Sequence, residues 1–139
     1  MELREKHKIL QQLAAVAIER LKELPQPVVR VSGPLTSGGY GYDENHRRFL
    51  VAQEKLREQG YTVFDYFEGH HDESQIVALE LPWEEVMEYY HRPIMATGLI
   101  QTVFMMPKWE TSHGATWEYK FAEELRLTIK DVPEEWFEG

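Results

Sequence analysis

Cysteine is absent from the sequence, which excludes disulfides and thiolate metal ligands. Long apolar runs are missing as well. No stretch approaches the roughly 20 residues that a membrane-spanning helix requires, and the first residues are charged rather than signal-like. Basic residues are the minority charge, 15 Lys and Arg against 24 Asp and Glu, for a formal net charge of −9. That balance argues against the clustered-cation footprint of a nucleic-acid binder. It leaves room for a small phosphorylated ligand, because a local nest of backbone N–H groups holds a phosphate whatever the global charge. Internal repeats, low-complexity tracts and linkers are lacking too. These absences predict a cytoplasmic protein with no membrane and no nucleic-acid partner, and its 139 residues can bury the core of one domain.

What is present alternates between helix and strand patterns. Residues 2 to about 24 read as a helix, with Leu3, Leu10, Leu13, Ala14, Ala17, Leu21 and Leu24 on one stripe, ended by Pro25 and Pro27. This N-terminal extension, residues 1–26, packs either on its own domain or on an oligomer interface; the near-heptad recurrence of Leu3, Leu10, Ala17 and Leu24 keeps the second option open. Val28–Ser32 reads as the first strand. Asp43 or Asn45 can cap the next helix, which runs to about Gln59 before Gly60 stops it. Tyr61–Tyr66 reads as a second strand, 101–106 as a third and 127–130 as a fourth. Between the second and third strands, Pro82 opens a helix whose Trp83, Val86, Met87 and Tyr90 fall at core-facing spacing, with Pro93 predicted to kink or interrupt it. Strands alternating with helices predict a single three-layer α/β domain over residues 27–139.

Two loops carry chemistry. The first, Gly33–Tyr42, has four glycines in ten residues and follows a strand, a setting in which backbone can approach a ligand closely. It matches neither the dinucleotide fingerprint nor the P-loop. The second, Pro107–Ala115, joins a strand to a helix, where free N–H groups meet the C-terminal edge of a sheet. Ser112 lies on that loop and Glu118 in the first turns of the helix, so both are expected to face one crevice. Ser112 can serve a ligand or cap the turn that follows it. His70-His71-Asp72-Glu73 has metal-ligand residue types, but adjacent ligands without a distant partner read as a solvated loop, and no metal is expected.

Several of these residues, in order, resemble the nucleoside 2-deoxyribosyltransferase superfamily: Ser32-Gly33-Pro34, Asn45 followed by Phe49, Gly60 before a strand, then Trp109-Glu110, Ser112, Gly114-Ala115 and Glu118. The likeness covers roughly residues 28–131 and is nearest to a branch beside the 2′-deoxynucleoside 5′-monophosphate N-glycosidases. It implies a flavodoxin-like (Rossmann-like) sandwich with a parallel sheet of four to five strands, assembled as homo-oligomers, dimers or higher. It also implies cleavage of the bond between a base and a (deoxy)ribose without metal or organic cofactor, with a nucleotide or nucleoside as the small-molecule partner.

On that resemblance Glu118 is the nucleophile, because a carboxylate can stabilise or bond to the oxocarbenium-like anomeric carbon. Ser112 stands where transferases acting on free nucleosides have an aspartate, which points to a 5′-phosphorylated ligand. Ser32, Gly33, Pro34, Gly39, Tyr40 and Tyr42 of the first loop, with Trp109, Ser112, Gly114 and Ala115 of the second, are the expected substrate contacts. Two family aspartates are replaced, one within Tyr89–Met95 and one at Gln101. His91 and His113 are then the candidates for assisting departure of the base. The replacements also leave open a nucleotide-binding module without catalysis, or a deoxyribosyltransferase. A dinucleotide substrate cleaved at its nicotinamide–ribose bond is a further expectation.

Overall fold

The computed structural model describes residues 1–34, 38–65 and 72–138, with Asp72 and Glu73 described by their backbone alone. The chain forms a four-stranded, all-parallel sheet in the order β2-β1-β3-β4. The strands are β1 (Val28–Ser32), β2 (Thr62–Val63), β3 (Ile100–Met105) and β4 (Thr128–Asp131). This is a flavodoxin-like three-layer fold with an additional N-terminal helix. The order changes direction between β1 and β3, and the crevice outside the carboxyl ends of those two strands is where such sheets take ligands.

Every residue of β1 is buried, as expected of a central parallel strand covered on both faces. Alternation along it separates two environments. Val29 and Val31 pack with Phe49, Ala52 and Leu56 of α2 (Tyr42–Glu58), beneath one face. The other face meets α1 (Leu3–Glu23), α5 (Arg92–Met95) and α6 (His113–Glu124). There Val28 joins Leu10, Ala14, Ala17 and Leu21 of α1 in one cluster, and Val103 and Met105 of β3 join Phe121 and Ala122 of α6 in another. Fully burying Leu10 and Leu21 contributes roughly 1.5–3 kcal/mol each, which seats the N-terminal helix on the domain. Leu3 of the predicted stripe lies beyond that contact and is exposed.

Three local expectations need correction. α2 begins at Tyr42 with Gly41 flanking it at φ 81°, and neither Asp43 nor Asn45 caps it. Asp43 instead lies in the first turn, where its charge complements the helix dipole, and Asn45 is buried. After α3 (Asp72–Ala78), the helix that follows Pro82 is short: α4 (Trp83–Val86) passes into a π-helical turn, Met87–His91, before α5. Pro93 accounts for the widened turn, since it has no N–H to give and its ring crowds the carbonyl four residues back. Trp83 departs from its predicted core position and is 40% exposed, whereas Tyr90 is fully buried. The second strand covers Thr62–Val63, while Tyr66 and the His70-His71 pair lie outside the described residues. Among the described residues no helix is long and apolar enough to cross a membrane, and no group of three or more His, Asp or Glu residues is placed to hold a metal.

Candidate active site

A cavity of about 520 Å³ opens at the carboxyl ends of β1 and β3. Among its polar lining residues are Arg30 and Ser32 of β1, His91, Ser112 just before α6, and His113 and Glu118 of α6. The two loops singled out in the sequence meet at this end of the sheet. Lys108 Nζ donates to the Gly38 carbonyl at 3.2 Å, and a Cβ on Gly33 would fall 2.4 Å from Met106 Cβ. Glycine is therefore required at 33 by close approach of the two strand ends.

Arg30 lies at the centre of the polar lining. It points to the α6 face, with a side chain only 4% exposed, and its Nε sits 3.1 Å from Glu118 Oε2. The contact is an ion pair by distance, yet neither atom completes a well-angled hydrogen bond. Arg30 Nη2 lies 2.9 Å from His91 Nδ1, and the guanidinium also stands over the Phe64 ring at 5.5 Å. An arginine has no acceptor to offer and stays protonated. His91 Nδ1 must therefore accept, so the imidazole is neutral with its proton on Nε2. Burial, reinforced by the Arg30 charge, holds His91 well below the usual histidine range.

Glu118 is pulled in opposite directions. Burial raises its pKa above the ordinary glutamate value, while the Arg30 charge and the nearby Ser32 hydroxyl lower it, and the net effect is upward. Its Oε2 is shielded and turned to Arg30, and the residue lines the cavity. Ser112 caps α6: its Oγ accepts from Ala115 N–H at 3.1 Å. Because a hydroxyl accepts and donates at once, the cap leaves the Ser112 O–H able to donate to a ligand.

Of the residues expected to form the site, the cavity is lined by Glu118, His91, His113, Ser32, Gly33, Ser112, Gly114 and Ala115. The other five do not line it. Pro34 is buried, and Gly39 faces open space. Tyr40 lies between two cations, with Arg48 at 4.0 Å and Lys108 at 4.5 Å from its ring centroid. Tyr42 stacks loosely on His46, and Trp109 stacks on Tyr119 with centroids 4.6 Å apart. Residues 35–37 of the first loop lie outside the described residues. Other lining residues were not among the expected site residues, among them Arg30, Gln53, Phe64 and Trp83. Arg30 had left a signal, as a lone charge inside a β-branched strand that both faces of the domain cover.

The family model for a domain of unknown function, DUF4406, matches residues 27–131. The chain belongs to the DUF4406 family. No curated protein and no solved structure gives a significant match. The match spans β1 to β4, so every polar residue described above lies inside the DUF4406 domain, while α1 precedes it.

Proposed function

We propose that this DUF4406 domain is a hydrolase that cleaves the N-glycosidic bond of a (deoxy)nucleoside 5′-monophosphate, with Glu118 as nucleophile. The observation that carries the reading is the place of Glu118: its carboxylate pairs with a buried guanidinium while the residue lines a cavity large enough for a nucleotide. Glu118 Oε1 bonds to the anomeric carbon as the C–N bond breaks, and its electron pair leaves with the base, which takes a proton from water. Water then attacks the same carbon, gives its proton to solvent and frees the carboxylate. The N-terminus of α6 and the Ser112 hydroxyl hold the phosphate, since free N–H groups and the helix dipole favour an anion there. In keeping with the resemblance, the protein acts as a homo-oligomer, and its composition suits the cytoplasm.

One observation favours a second reading, binding without turnover. His91 is held neutral by burial and by Arg30, so it holds the arginine rather than protonating a leaving base. His113 lines the cavity and is the remaining histidine with that option. A deoxyribosyltransferase uses the same first step with a second base in place of water.

A chromatographic screen of nucleosides and nucleotides for liberated base, with Glu118→Ala as the blank, tests the reading. NAD belongs in the same panel. Free base from a 5′-monophosphate that the blank does not release supports hydrolysis. Phosphate-dependent binding with no base released from any compound supports the binding module instead.

A further inference from the structure

The cavity is larger than its polar end. A separate stretch of chain, residues 76–87, lines it with Ile76, Val77, Leu81, Trp83, Val86 and Met87, alongside the single charge of Glu80. Trp83 is the unusual member. An indole that large is seldom left 40% exposed on an ordinary surface helix, and here it faces a cavity. Its ring is not loose, because His113 lies against it with centroids 5.5 Å apart and planes 16° from parallel. His113 is the first residue of α6, directly after the capping Ser112, so the indole is backed by a ring anchored at the helix terminus. Val77, which lines the same cavity, is 64% exposed. A fixed aromatic face, apolar neighbours and a polar end in one cavity make a two-part binding site.

We infer that Trp83 is a stacking platform, backed by His113, for a flat aromatic heterocycle carried by the ligand. The identity of that ring as a nucleobase rests on the glycosidase reading, whereas the platform itself rests on the cavity. Stacking tolerates any base, because every base offers a π-face. The apolar shelf of Ile76, Val77 and Leu81 extends the contact area for the ring. A bare sugar phosphate would leave this part of the cavity without a partner.

The test uses the two halves of such a ligand as separate probes, neither of which can be cleaved: free adenine and ribose 5-phosphate. Each is titrated into the full chain while tryptophan fluorescence is followed, and calorimetry gives the affinity. Adenine is expected to quench the wild type and ribose 5-phosphate to leave the Trp83 signal unchanged. Trp83→Leu keeps an apolar side chain without an aromatic face and should weaken adenine binding about tenfold or more; Trp83→Phe should restore much of it. As the side chain is largely outside the core, both variants are expected to fold.

Adenine binding that is equal in wild type and Trp83→Leu would overturn the platform, as would adenine that does not bind at all. Base release from nucleotides with Trp83-independent adenine binding would sink the platform and leave the glycosidase standing. Trp83-dependent adenine binding with no base release from any nucleotide would do the reverse.

Discussion

Arg30 Nε and Glu118 Oε2 sit 3.1 Å apart, with side chains 4% and 10% exposed, so β1 and α6 are joined by a charge pair withdrawn from water. Desolvating two such groups costs several kcal/mol, which mutual attraction offsets only when the remaining hydrogen bonds are made. Those bonds are only partly made: His91 Nδ1 accepts from Arg30 Nη2, while Ser32 Oγ completes no hydrogen bond. The pair therefore holds the carboxylate in place without adding much to stability. An arrangement of that kind suits the nucleophile role proposed for Glu118, since its position is set before any ligand arrives.

The two ways of neutralising Glu118 should differ. Glu118→Ala leaves the guanidinium buried without a carboxylate and is expected to cost about 3–5 kcal/mol. Glu118→Gln keeps a carbonyl oxygen to accept from Arg30 and should cost less. Urea denaturation of the two variants measures the difference. Equal losses would mean that Arg30 does not depend on that oxygen.

Replacing Arg30 should move the ionisation of Glu118 upward. The Arg30 charge lowers the Glu118 pKa against the larger effect of burial, so Arg30→Met leaves burial less opposed. Carbon-13 NMR of glutamate-labelled protein reads the titration directly. The low-pH limb of any activity that needs ionised Glu118 should shift the same way. A Glu118 titration unmoved in Arg30→Met would show that the two charges do not interact.

The sheet was legible because its strands are short β-branched runs between glycines and prolines. Val28–Ser32 was placed to the residue, and the third and fourth strands to within one. Glu118 and Ser112 were placed in one crevice by the strand-loop-helix pattern alone. The misses have separate causes. Periodicity reports which residues are apolar, not whether a cavity interrupts the core, so Trp83 looked like its neighbour Tyr90. The role of Arg30 depends on two partners far along the chain, His91 and Glu118, and no local pattern contains them. Tyr40 and Trp109 found partners within the protein, Arg48 and Lys108 for one and Tyr119 for the other.

His91 should make stability fall with acid. Its folded pKa lies well below 6.5, so as pH drops through that value the unfolded chain takes up a proton that the folded chain refuses. The associated stability is fully present above about pH 6.5 and is lost as pH falls toward the folded pKa. Glu118 acts oppositely, because its raised pKa favours the folded state most below 4.5 and less as pH rises through the raised value. Melting temperatures of wild type and His91→Asn, compared from about pH 7 to pH 5, isolate the histidine. Asparagine can still accept from Arg30 but does not titrate, so its slope should be flatter. Parallel slopes would remove His91 from the account.

Gly33→Ala should be costly although alanine suits the backbone, whose φ is not in the left-handed region. The new Cβ would meet Met106 Cβ at 2.4 Å and Cγ at 2.6 Å, and Cβ cannot swing aside as a chain end can. A loss of about 1–3 kcal/mol is expected by chemical denaturation. A melting curve that overlays the wild type would show that β1 and β3 can part at their carboxyl ends.

The most direct measurement is the initial rate of base release from a nucleoside 5′-monophosphate by wild type and Glu118→Gln, at matched concentration and with folding verified by melting. Glutamine fills the same space and still faces Arg30, yet it cannot form the ester to the anomeric carbon. A fall of at least about a hundredfold is expected. Equal rates in the two proteins would contradict a glycosidase that works through Glu118.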